Sequence, residues 1–351
     1  PISSEMNLFV ERCRARRIVG ITGSAGKSTT TAMLGAIAAR AFPGGSRPGA
    51  WVGGNIGRSL LPDLEQIRHE DVVILELSSF QLEDLAALRW SPHIALITNI
   101  QPNHLDRHGT LEAYADAKLN IVRYQRPGDV VLVHERDEAL ADRVRAVGAA
   151  SRLERYRFDA AFADVIRVPG PHNRDNAAGA IAAARALGVS DAAIRAGLAG
   201  FTGLPHRLEL VGEHAGVRYF NDSKSTTPES SIIALEAFEE PVIMLVGGRD
   251  KGAPFDAMSR RMAERARAVV AYGETREIFA QQVRAFAAEI GRDVPVRTAT
   301  DFRAAVESAR DLASAGDVVV LSPACTSYDM FSNYEERGDR FREIVRSLGG
   351  T

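Results

Sequence analysis

The run Gly20-Ile21-Thr22-Gly23-Ser24-Ala25-Gly26-Lys27-Ser28-Thr29-Thr30 constrains this chain more than any other stretch. An apolar Ile18-Val19 pair leads into a glycine-rich turn, which feeds an apolar helical stretch from Met33 to Ala39. Strand, glycine loop and helix N-terminus, in that order, turn backbone N–H groups and the positive end of a helix dipole toward phosphate oxygens. Lys27, directly after the last glycine, has the length to reach β- and γ-phosphates, and the Ser28 hydroxyl is placed to ligate Mg2+. A side chain at Gly26 would hold the backbone away from such a ligand. The strict G-x-x-x-x-G-K-[ST] spacing asks for glycine where this chain has Ile21. An ordinary glycine-rich turn is the bland alternative, and the Lys27-Ser28 pair favours phosphate.

With 351 residues, 45% of them hydrophobic, the chain has room for two domains with real cores. Its net charge of −2 gives no whole-chain electrostatic case for nucleic acid or a membrane surface. Arg12, Arg14, Arg16 and Arg17 read as a solvated face ahead of the first strand. Cys13 and Cys325 lie too far apart for metal-ligand spacing and suit a reducing compartment. No leader pattern or membrane-length apolar run is visible, so a cytoplasmic location is expected. The sequence starts at Pro1 without methionine, which suggests a fragment or a processed chain.

Short β-rich runs alternate with helix-period stretches. Residues 72–77, 93–98 and 130–133 read as buried strands, and 111–124, 138–147, 173–187 and 191–199 as helices. Strands apolar on both faces and alternating with helices predict a mostly parallel sheet. Gly200-Phe201-Thr202-Gly203-Leu204-Pro205 punctuates the pattern and predicts a domain boundary. The alternation then restarts, with strands at 208–211, 217–220, 242–246, 268–271 and 318–321, and helices at 228–237, 276–289, 302–313 and 335–348. A second, Rossmann-like α/β domain is expected.

Several polar blocks follow predicted strands, where open α/β sheets gather their ligands. Glu76, in Glu-Leu-Ser-Ser-Phe-Gln, is placed either to hold Mg2+ beside a nucleotide or to cap a helix. Asn99 to His108 packs His104, Asp106, Arg107 and His108 into one loop, and Lys118 sits on the helix beyond it. Asn173 and Asn176 open the alanine-rich helix, as caps or as contacts to a base. Arg207 lies by the hinge, where a guanidinium can reach a phosphate. Three more polar loops, 221–228, 247–252 and 322–327, would converge on one edge of the second sheet.

Taken jointly, these blocks closely resemble the Mur ligases, the ATP-dependent amide-forming enzymes of peptidoglycan synthesis. The resemblance is carried by Thr22-Gly23-Ser24-Ala25-Gly26-Lys27-Ser28-Thr29, Gly53-Gly54-Asn55-Ile56-Gly57, Glu76-Leu77-Ser78-Ser79-Phe80-Gln81-Leu82 and His104-Leu105-Asp106-Arg107. Further along it is carried by Gly203-Leu204-Pro205-His206-Arg207, Asn221-Asp222-Ser223-Lys224, Gly247-Gly248-Arg249-Asp250-Lys251-Gly252 and Ser322-Pro323-Ala324-Cys325. The second, third and last blocks favour the glutamate-adding branch.

The resemblance implies an α/β chain with two domains. A central P-loop ATPase domain with a mostly parallel sheet would span residues 1–202, and a C-terminal Rossmann-like, glutamate-binding α/β domain 203–351. The family's UDP-binding first domain would be absent from this sequence. Gly23, Ser24, Gly26, Lys27, Ser28 and Thr29 would bind ATP phosphates. Asn173 and Asn176 would contact adenine, and Arg207 and Asp222 the rest of ATP. Ser28 and Glu76 would hold one Mg2+. His104 would ligate a second, together with Lys118 carbamylated by CO2. Asn55, Ser78 and His104 would face UDP-N-acetylmuramoyl-L-alanine, while Lys224, Thr226, Lys251 and Ser327 would surround D-glutamate. Lys27, Glu76, His104, Lys118 and Lys224 would carry the catalysis, in a monomer.

Ala25, Thr227, Tyr328 and Tyr334 depart from, or vary within, the family pattern and bear on fine substrate choice. The implied chemistry activates a carboxylate as an acyl phosphate, which the glutamate amine then attacks. Alternatives are a sibling ligase with another acceptor or with L-glutamate, such as a folylpolyglutamate synthase-like enzyme, and a nucleotide-binding module without ligase turnover.

Overall fold

The computed structural model describes residues 4–46 and 48–348, apart from the side chains of Leu105 and Asp106. The chain falls into two compact units. The chain up to Arg167, with Pro171–Phe201, makes the first; Val168–Gly170 and the chain from Thr202 onward make the second.

The first unit runs α1 (Glu5–Arg12), β1 (Arg17–Thr22), α2 (Lys27–Ala41), β2 (Ala50–Gly54), β3 (Val72–Glu76), α3 (Ser79–Ala86) and β4 (Ile94–Ile97). It continues with α4 (Leu105–His108), α5 (Leu111–Arg123), β5 (Val130–His134), α6 (Glu138–Val147), β6 (Arg152–Tyr156), α7 (Pro171–Ala186) and α8 (Asp191–Ala199). Its sheet has the order β2-β3-β1-β4-β5-β6, parallel throughout. β3, β4 and β5 are buried at every residue, because helices cover both faces of a parallel sheet. Val73, Leu75, Ile97 and Val131 pack with Phe9, Leu82, Leu85, Leu119 and Leu140. Fully burying each such side chain is worth about 1.5–3 kcal/mol.

The second unit runs β7 (Glu209–His214), β8 (Val217–Asn221), α9 (Pro228–Glu236), β9 (Val242–Gly247), α10 (Asp256–Arg265), β10 (Ala268–Tyr272), α11 (Arg276–Glu289), β11 (Val296–Ala299), α12 (Phe302–Leu312), β12 (Val318–Leu321) and α13 (Tyr334–Ser347). Its sheet order is β11-β10-β9-β12-β8-β7, parallel except for the β7–β8 pair. Apolar clusters fill both faces; on one, Phe302, Ala305, Val306 and Ala309 form a stripe along α12. β8, β12 and β9 are neighbours, so the loops that follow them emerge side by side, as expected from the sequence.

The edge strands β2, β6 and β11 and the helices α1, α3, α4 and α10 lie outside the sequence expectations, and α4 takes the last four residues of the expected 99–108 loop. β6 reads Arg-Leu-Glu-Arg-Tyr and is partly exposed, so it lacks the apolar run that marks an interior strand. α7 starts at Pro171, whose fixed φ suits a first helical turn. Asn173 and Asn176 therefore lie inside the helix, buried, and the capping role is corrected. β7 starts at Glu209 rather than at Leu208, whose φ is +43°. Arg12, Arg14 and Arg16 are exposed as expected, whereas Arg17 is half-buried, donates to the Glu70 carbonyl and lies over the Phe42 ring. No described helix is long and apolar enough to cross a membrane.

Candidate active site

The glycine loop sits at the C-terminal end of β1, and its geometry is imposed by its neighbours. Gly23 has φ +151°, and a Cβ there would fall 1.9 Å from Thr98 Oγ1. Gly26 has φ +82°, and its Cβ would fall 2.2 Å from Asn176 Oδ1. The chain after β4 is stitched to the loop: Ser24 N donates to Asn99 O at 3.0 Å, Ala25 N to Asn99 Oδ1 at 2.9 Å, and Thr98 Oγ1 to Ala25 O at 2.6 Å. Thr98 and Asn99 were not singled out from sequence, because what matters about them is which loop they touch.

Gly26 is the N-cap of α2 and offers no side-chain cap. α3, α5, α8 and α9 instead start on Ser78, Thr110, Ser190 and Thr227, each accepting from the first turn. The first turn of α2 thus keeps donors for an anion. Lys27 Nζ folds over the loop and donates to the carbonyls of Gly23 (2.9 Å) and Ser24 (3.1 Å). Ser28 and Thr29 follow in that turn, half-buried. Asn176 Nδ2 donates to Asn173 Oδ1 at 3.1 Å, which sets that pair beside the loop.

Glu76 ends β3 and is 1% exposed. Asn55 Nδ2 donates to its Oε1 at 3.1 Å and Asn55 N to its backbone carbonyl at 2.8 Å. Its Oε2 is buried with no partner. Glu76 is therefore no helix cap: that role belongs to Ser78, which accepts from Gln81 N in a capping box while Gln81 Oε1 accepts from Ser78 N. Lys118 reaches in from α5, 1% exposed, with Nζ 3.4 Å from Thr22 Oγ1 and 4.6 Å from the centre of the Tyr114 ring. Burial, then the charge of Lys27, push its pKa down to about 7, against an opposing pull from Glu76.

A dry carboxylate oxygen with nothing to accept from is the group a cation completes, so the residues present fit Mg2+. Among the described residues no trio of His, Cys, Asp or Glu forms a metal cage. Mg2+ is commonly held through one or two carboxylates plus phosphate oxygens and water. His104 is exposed at φ +53°, with the Phe80 ring 5.5 Å and the Tyr114 ring 6.4 Å away. The side chain of Asp106 lies outside the described residues.

In the second unit Asp222 is buried, accepting from Leu208 N at 3.2 Å and Ser322 Oγ at 2.9 Å. Burial pushes its carboxyl up to about 6, against those bonds and Arg207. Both oxygens are engaged within the fold, so its first visible task is to tie the β8 and β12 loops together. Lys224 lies over the Tyr334 ring at 5.4 Å. Arg207 and Lys251 are exposed, Thr226 half-buried and Ser327 buried. Arg337, absent from the sequence candidates, is fully buried beneath these loops. It donates to Ser223 Oγ and O, each at 2.9 Å, and to Cys325 O at 3.2 Å.

Residues 21–184 match the Mur ligase middle domain, and residues 206–325 the Mur ligase glutamate ligase domain. The chain belongs to the Mur ligase family. This Mur ligase is 40% identical over 371 residues to the curated UDP-N-acetylmuramoylalanine--D-glutamate ligase of Symbiobacterium thermophilum, covering 99% of this chain and 79% of that protein. It is 37% identical over 367 residues to the Clostridium perfringens enzyme of the same name, covering 99% and 78%. Solved structures share its fold. Thermotoga maritima MurF with ADP gives a TM-score of 0.64 at 16% identity, over 98% of this chain and 83% of that one. E. coli FolC with ADP gives 0.66 at 19% identity, over 99% and 94%.

Proposed function

We infer that this Mur ligase joins D-glutamate to UDP-N-acetylmuramoyl-L-alanine at the expense of ATP, a step in making peptidoglycan precursors. The observation that carries the chemistry is the dry pair of Glu76, with its unpartnered oxygen, and Lys118 at the sheet edge where the phosphate loop opens. The relatives' names supply the substrates. The first unit takes the nucleotide and the second the glutamate, in a monomer of the cytoplasm.

A substrate carboxylate oxygen attacks the γ-phosphorus of ATP, ADP departs, and an acyl phosphate remains. The glutamate amine then attacks the acyl carbon, loses a proton and expels phosphate. The loop N–H groups and Lys27 hold the phosphates, Lys27 exchanging its loop carbonyls for phosphate oxygens. Asn173 and Asn176 hold the base. Asn55 and Ser78 orient the muramoyl-alanine end, and Lys224, Thr226, Lys251 and Ser327 the glutamate. Ser28 and Glu76 would hold one Mg2+, and His104 and Lys118 a second. The ions would neutralise charge that develops on the phosphoryl oxygens. Lys118 would serve as a ligand once its neutral amine had added to CO2 and lost a proton, and its burial and lowered pKa favour that neutral form.

The test is amide formation, followed by mass spectrometry, with UDP-N-acetylmuramoyl-L-alanine, Mg-ATP and D- or L-glutamate in competition. D-Glutamate is expected in the product. Preference for L-glutamate or a neutral amino acid overturns the substrate assignment. Binding of an ATP analogue without any amide favours a nucleotide-binding module instead.

A further inference from the structure

His108 closes α4, four residues after His104, and its side chain is 3% exposed. Two helices grip it. Its Nε2 lies 3.0 Å from Ser79 Oγ, in the first turn of α3. Its Nδ1 faces Glu83 Oε1 at 3.5 Å, one helical turn further on. Its ring stacks on Phe80 at 5.4 Å and 9°, and meets Tyr114 of α5 edge-on at 5.2 Å. The carboxylate at Nδ1 favours the proton there, leaving Nε2 to accept from the Ser79 hydroxyl.

The same two rings, Phe80 and Tyr114, are the neighbours of His104. The Tyr114 ring also carries Lys118 Nζ on its face at 4.6 Å. His104, His108, Tyr114 and Lys118 therefore form one series of neighbours, and in it His108 is hydrogen-bonded to Ser79 of α3.

We propose that His108 is a positioning residue that fixes α4, and with it His104, against α3 and Tyr114, so that His104 and Lys118 face the same ion. Serine, histidine and carboxylate in a row also describe a hydrolase triad. Here Ser79 is 2% exposed, so the array holds structure rather than attacking a substrate. Groups that orient metal ligands from behind typically change metal affinity or activity 10–100-fold when removed.

The inference rests on the proposed second ion at His104 and Lys118, and the experiment separates the two. Mn2+ replaces Mg2+, and its binding in the presence of a non-hydrolysable ATP analogue is followed by EPR for the wild type, His108→Ala, His108→Gln and Ser79→Ala. Thermal melts report folding, and kcat and KM are measured alongside. In wild type, two Mn2+ are expected. In His108→Ala the weaker Mn2+ should bind about 10–100-fold less tightly and kcat should fall by a similar factor, with analogue affinity within about twofold. His108→Gln, which keeps an acceptor for Ser79, should recover part of the loss, and Ser79→Ala should reproduce part of it without touching the ring. Folded variants with unchanged Mn2+ affinity and kcat make His108 a packing residue and overturn the proposal. A wild type that binds a single Mn2+ removes the second ion itself, and this inference falls with it.

Discussion

At Lys118 the fold holds an amine where water is nearly absent, and this sets its chemistry. With a pKa near 7 rather than 10.5, the amine is largely neutral in mildly alkaline solution and protonated below pH 7. A 13C carbamate signal from labelled bicarbonate should therefore be present at pH 8, fade as pH falls through about 7, and vanish in Lys118→Ala. A signal that survives the substitution belongs to another lysine. Asp222 shows the opposite displacement. Its folded pKa, about 6 against an ordinary 3.8, means that the folded state holds the proton more tightly than the unfolded chain. Stability gained from that proton is complete below about pH 4 and is lost as pH rises to about 6. Asp222→Asn removes the charge, so its melting temperature relative to wild type should be higher at pH 7.5 than at pH 4.5. Between these two pH values the swing is about 2 kcal/mol. Equal differences at the two pH values, by calorimetry, would mean that the carboxylate is not strained.

Among the elements, α2 and α3 begin in contrasting ways beside one another. α3 satisfies its first turn internally through Ser78 and Gln81, while α2 opens on Gly26 with no side-chain cap. Ser78→Ala should thus cost about 1 kcal/mol in chemical denaturation. It should leave the affinity for an ATP analogue unchanged, because α2 supplies those donors. A loss of nucleotide affinity in Ser78→Ala would show that the two helix starts are coupled.

Over the whole molecule, each unit has its own sheet and its own apolar cores. Calorimetry should resolve two transitions, and an ATP analogue at a hundredfold its Kd should stabilise the P-loop unit by about 2.7 kcal/mol. A single transition, shifted as one, would mean that the units unfold together. Much of this architecture is written locally. The interior strands β3, β5 and β12 are continuous apolar runs, the phosphate loop is a contiguous string, and helices such as α6, α8 and α11 follow their 3.6-residue period, so each could be read from neighbours in sequence. Edge strands β6 and β11 could not, because half-exposed strands carry arginine and threonine and lose the apolar signature. The same division runs through the site. Motifs in the sequence named Lys27, Glu76 and His104, and the family resemblance named Lys118. Three-dimensional packing decided that Glu76 keeps an unpartnered oxygen, that Lys118 is dry enough to lose its proton, that Asn173 and Asn176 sit within α7, and that Thr98, His108 and Arg337 support the loops. Burial and hydrogen bonding depend on residues tens of positions apart, and those distances exist only once the chain has folded.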